Sequence, residues 1–138
     1  MKVLFKLHKI LTVCLFLTFT TISLGQTQSA MNSAQAQTFQ QADKAFNVVY
    51  QKILKQYSTD KEFIKNLKTA QRIWVQFRDA DVKMKYSDRP TGYYGSMQSF
   101  CESSYRTELT QQRTKTLTIW LTGIEEGDTC AGSVKTKD

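Results

Sequence analysis

The chain has 138 residues, 41% of them hydrophobic, with 19 basic against 12 acidic side chains and a single histidine. This length allows one hydrophobic core and excludes a second sizeable domain, and lysines scattered without a block of like charge give no nucleic-acid signature. His8 lies in the apolar N-terminal stretch, so the remainder has no imidazole for a Ser-His-Asp triad, a general base or a zinc site.

Residues 1–25 read as a secretory signal peptide. Lys2, Lys6 and Lys9 precede an apolar run over residues 10–24, and Ser23 and Gly25 supply small residues for cleavage. The run is shorter than the ~20 residues that a transmembrane helix needs, and no second apolar segment follows. No stable membrane insertion is therefore expected after cleavage. Acylation at Cys14 is the alternative, but Val13 precedes it and most of the apolar run follows it. Export places residues 26–138, one domain, in the periplasm or outside the cell. Loss of the three leader lysines leaves sixteen basic and twelve acidic side chains, a formal charge of +4.

A first helix is predicted over residues 32–57, where Phe39, Ala42, Phe46, Val49, Ile53 and Tyr57 recur every three or four residues. The second opens at Thr59, with Glu62 completing a capping box, and carries Phe63, Leu67, Ala70, Trp74 and Phe77. A connection as short as Ser58 makes the two an antiparallel pair. Periodicity stops over residues 86–96, a loop rich in turn formers with Tyr93 and Tyr94 at its tip. Ser96 then caps a third helix through Met97, Phe100, Tyr105, Leu109, Leu117 and Trp120, which ends at Gly123. Beyond it the tail is acidic, then glycine- and lysine-containing, and irregular. Two cysteines follow the leader, Cys101 and Cys130, and an even count in an oxidising compartment predicts a bridge between them. Closing that loop would contribute ~3.5 kcal/mol in the chain-entropy treatment. The fold expected is all-α: a small antiparallel bundle of three main helices with a disulfide-tethered C-terminal tail.

Carboxylates are the one chemistry left for catalysis, with Asp79, Asp81, Glu102 and Glu108 as nominees for a hydrolase. Helical carboxylates ordinarily pair with nearby Lys and Arg, so no catalytic activity, cofactor or metal is expected. Gln71, Trp74 and Arg78 share one helical face and Asp43, Asn47 and Tyr50 another. A buried Arg78 must be paired, with Asp43, Asp79 or Glu102 in reach and Trp74 as cover. Arg89, Tyr93 and Tyr94 make the loop a candidate recognition surface, or a self-packed cap. Glu125, Glu126 and Asp128 form the one acidic cluster, a second candidate contact or a solvated run.

The string Ala70-Gln71-Arg72-Ile73-Trp74-Val75-Gln76-Phe77-Arg78-Asp79-Ala80 resembles the signature of the LprI-type lysozyme-inhibitor family. Met31-Asn32, Ala42-Asp43, Phe46-Asn47 and Tyr50 are similar to its first helix. Tyr94-Gly95-Ser96 resembles its Gly-Gly-Ser turn, and Cys101, Leu109-Thr110 and Arg113 resemble its last helix. Arg113 joins Asp43, Asn47, Gln71, Trp74, Arg78 and Asp79 as a structural polar set. Family members carry cysteines after the Met-Asn pair and after the Arg-Asp-Ala string; here Ser33-Ala34 and Asp81-Val82 stand there, so that bridge is lost as a pair. The resemblance implies a helical exported protein that binds and inhibits lysozyme or meets another envelope protein. Animal-type lysozymes are basic, so +4 opposes long-range attraction and the acidic cluster would have to act locally. Two other functions compete: an envelope module binding anionic glycan or lipid through its lysines, and a carboxylate-dependent hydrolase.

Overall fold

The computed structural model describes the backbone of residues 2–137 and the side chains of residues 27–137. The expected leader, residues 1–25, lies outside the described side chains. The chain divides into two compact units, residues 1–34 and 35–138. Among the described residues there are three helices and no strand: α1 Lys2–Gln56, α2 Lys61–Lys85 and α3 Gln98–Thr122. Among the described residues no helix is long and apolar enough to cross a membrane.

Helix α1 begins well before residue 32, where the apolar stripe had placed its start. No proline interrupts it, and the Gln-, Ser- and Ala-rich stretch after Gly25 consists of residues that a helix tolerates, including a Gln28-to-Asn32 side-chain bond of 3.1 Å. Within the second unit its stripe is buried as read: Ala42, Phe46, Ile53 and Tyr57 belong to the core. Leu67 of α2 and Leu117 of α3 close the same cluster, with Trp74 and Trp120 packed against it.

The caps differ from expectation. Asp60, not Thr59, opens α2, its Oδ1 accepting from the Phe63 amide at 2.9 Å. Both Asp60 and Thr59 can cap, but the carboxylate accepts more strongly and complements the positive helix end. With Asp60 as cap, Glu62 is out of register for a capping box and accepts instead from Lys65 and Asn66. Met97 precedes α3 with no side-chain cap, so Ser96 does not serve there.

Two inner faces are more polar than read. On α2 the buried row is Leu67, Gln71, Arg78 and Val82, which leaves Phe77, an expected core residue, 59% exposed. Phe77 lies with Ala70 and Ile73 on the neighbouring row, three and four residues apart. On α3 the buried residues are Thr107, Thr110 and Leu117. Both threonine hydroxyls donate to the carbonyl four residues back at 2.8 Å, which lets polar side chains occupy an interior position.

The tail is tethered, but not by sulfur. Cys101 and Cys130 are both free thiols. Cys101 sits in the first turn of α3 and Cys130 in the segment that folds against the last turn, with roughly 30 Å of helix between those ends, whereas a bridge needs Cα atoms within ~7 Å. The tail is held by a parallel bridge between Ile124 and Thr136: the Ile124 amide donates to Lys135 O at 3.0 Å, and the Lys137 amide donates to Ile124 O at 2.8 Å. Gly123 makes this possible. Its φ of +73° ends the helix, and a Cβ there would stand 2.9 Å from Lys135 O.

Candidate functional site

Trp74, half-buried, packs against the core, with its ring 5.1 Å from that of Phe46 and guanidinium groups near it: Arg78 at 5.4 Å and Arg113 at 5.8 Å. Arginine stacks well on indole because its planar charge is weakly hydrated and the ring face is negative. Arg78 is buried, so its charge needs partners. Its Nε donates to Asp79 Oδ1 at 2.9 Å, Nη1 lies 3.7 Å from Asp43 Oδ1, and Nη1 reaches Thr110 Oγ1 at 3.5 Å. Asn47 donates to Asp43 Oδ2 at 3.0 Å, which fixes that carboxylate from the α1 side. Arg113 is satisfied differently. Its Nε and Nη2 converge on the side-chain oxygen of Gln71 at 2.8 and 2.6 Å, and burial lowers its pKa. The other six residues of the polar set are therefore linked to Trp74 through Arg78 and Arg113.

Arg106 also belongs to this surrounding and was not singled out from sequence, while Phe39, Tyr105 and Thr110 were read there only as helix positions. Arg106 stacks on Phe39 at 5.8 Å and bonds Glu102 at 3.3 Å, while the Tyr105 hydroxyl donates to Asp81 Oδ2 at 2.8 Å. That bond raises the Tyr105 pKa, with burial adding to it. The threonines at 107, 110, 114 and 118 have helical spacing and hydroxyls that can back-bond, which marks them as able to sit in a helix but not which way they face.

The four carboxylates nominated for hydrolysis are engaged in the fold. Asp79 meets Arg78 and Arg106, Glu102 meets Arg106, Asp81 accepts from Tyr105, and Glu108 accepts from Gln112. Asp79 and Glu102 line one cavity of about 470 Å³, but the Arg106 guanidinium lies between them, where a glycosidase would leave room for sugar. A second cavity, of about 530 Å³, lies between α2 and the end of α3, walled by Phe63, Leu67, Leu117, Trp120 and Arg113, with Asp60 and Glu62 among its lining.

The two surface candidates are separate. In the loop, Tyr94 packs edge-on against Tyr93 at 4.9 Å and near Tyr86 at 5.7 Å, and Arg89 covers Tyr93 at 5.5 Å. The loop is thus both self-packed and open, since Tyr93 remains 66% exposed. Lys85 adds a charge over the Tyr105 ring at 3.7 Å. In the tail, Glu125 is bound by the Lys137 ammonium, which pulls its pKa down. Asp128 accepts from the Cys130 amide at 2.8 Å, and Glu126 stays exposed. The loop precedes α3 and the acidic turn follows it, so a helix of 25 residues, about 37 Å, separates Tyr93 from Glu126.

Comparison with known proteins gives one positive finding: the model of the family described as "Lysozyme inhibitor LprI" matches residues 23–117. No curated protein matches the chain, and no solved structure does.

Proposed function

The chain belongs to the LprI lysozyme-inhibitor family, and from that premise we propose that it is an exported envelope protein that binds and inhibits lysozyme without catalysing a reaction. The family match carries this reading. Its chemistry is consistent with the carboxylates being paired within the fold and with the absence of histidine after His8. The acidic turn is the contact favoured by charge: Glu126 and Asp128 present carboxylates on an otherwise basic chain, where a basic enzyme is attracted at short range.

The test is a cell-wall lysis assay with several lysozyme types and micromolar purified protein. Slowed lysis supports the reading, and unchanged lysis with all of them overturns it. Replacing Glu126 and Asp128 together by lysine is expected to weaken inhibition about tenfold or more, as for lost interface charge pairs, while Tyr93→Ala leaves it unaltered. A second reading, recognition of anionic glycan, is favoured by Lys85, Arg89 and the exposed Tyr93 of the loop. It requires salt-sensitive binding to cell-wall polymer that Arg89→Ala reduces.

A further inference from the structure

Arg113 differs from the other arginines that point inward. Arg78 has Asp43 and Asp79, and Arg106 has Glu102 and Asp79. Among the described residues Arg113 has no carboxylate at ion-pair distance; its polar partner is the neutral oxygen of Gln71, gripped through Nε and Nη2. A guanidinium stays charged when half-buried, and a charge removed from water without a counter-ion is costly. Beside it is a buried donor without a partner. Gln71 is only 5% exposed and its Nε2 has no hydrogen-bond partner, while the amide geometry keeps that nitrogen next to the oxygen that Arg113 holds. The uncharged Gln71 oxygen is therefore the one polar partner of Arg113 among the described residues.

Arg113 also forms a wall of the 530 Å³ cavity, whose other walls are mainly apolar, from Phe63, Leu67, Leu117 and Trp120. This volume falls within the ~300–1,000 Å³ typical of small-molecule sites. Three other polar groups of the lining have partners within the fold. Asp60 caps α2, Glu62 takes Lys65 and Asn66, and Ser133 accepts from the Trp120 indole at 3.1 Å. One anionic head on a hydrocarbon body needs only the guanidinium and the apolar walls.

We propose that the cavity between α2 and the end of α3 binds a free amphipathic carboxylate of the medium-chain fatty-acid type, with its carboxylate on Arg113 and its chain against Phe63, Leu67, Leu117 and Trp120. This goes beyond lysozyme binding and does not depend on it.

The experiment titrates the purified full chain with decanoate, decanol and decyltrimethylammonium, followed by tryptophan fluorescence and calorimetry below the micelle concentrations. Decanoate is expected to bind at 1:1, about tenfold or more tighter than the other two, the margin that a charge-assisted hydrogen bond supplies. Arg113→Met should remove that preference and leave decanol binding unchanged. If this variant does not fold, the three-ligand comparison on the unaltered protein still decides, together with decanoate-induced NMR shifts at Leu117 and Trp120. Equal affinities, no saturable decanoate binding, shifts elsewhere, or binding only of a carboxylate-ended peptide would each overturn the assignment.

Discussion

Arg78 carries the largest electrostatic obligation in the bundle, and two carboxylates share it. Asp43 and Asp79 come from different helices and are 43% and 52% exposed, so each is hydrated enough to cost little when ionised. The guanidinium itself is buried. Asp43→Asn and Asp79→Asn alone should therefore each cost about 1 kcal/mol or less, whereas the double variant leaves an uncompensated buried cation and should cost about 3 kcal/mol or more. Urea unfolding of the four proteins measures this excess over additivity, and simple additivity would show that Arg78 draws on other partners. Sequence made Arg78 conspicuous because an arginine followed an aromatic face on a helical stripe. It could not reveal Thr110 as a partner, because a mid-helix threonine looks the same whether it faces water or an interior arginine.

Helix ends test the assigned caps. Asp60→Ala removes the acceptor of the Phe63 amide and should cost about 1 kcal/mol of stability, whereas Thr59→Ala and Ser96→Ala should change it by only a few tenths. Thermal denaturation of the three variants separates them. The stripes of α1 were readable because Ala42, Phe46, Ile53 and Tyr57 obey helical spacing and are all apolar. Those of α2 and α3 were readable only in part. Once Gln71, Arg78, Thr107 and Thr110 take inner positions, hydrophobic periodicity points along a neighbouring row, which is why Phe77 was placed inside. Polar interiors of this kind need partners from other helices, and pairing across elements is not encoded in local spacing.

At the scale of the whole molecule, the second unit is closed at one end by residues far apart in sequence. The Tyr57 hydroxyl donates to Trp120 O at 3.2 Å, Lys135 covers the Tyr57 ring at 5.0 Å, and the tail bridges to Ile124. Glu125 contributes through Lys137, first by the hydrogen bond and then by the charge, and both depress its pKa. A carboxylate depressed in the fold stabilises it above its unfolded value, and that contribution is lost as pH falls through the folded one. Amide-exchange protection of Lys137 should thus hold at neutral pH and fade only once acidity passes below about pH 4, the ordinary carboxyl range. Glu125→Gln should abolish that step; a step unchanged in the variant would assign it to another group. The three-helix class was legible from breaker-poor segments and a glycine stop. The tether was misassigned because cysteine counting carries no distance, and α3 keeps the two thiols at opposite ends.

The second of the two main-chain links that return the tail to Ile124 is donated by Lys137. Any cut immediately on the N-terminal side of Lys137 would delete that link and the ammonium on Glu125 together. The Lys135 oxygen would then be the sole backbone acceptor left at Ile124. One residue, Lys137, thus carries two of the clasp's fastenings, so a single nick loosens both at once.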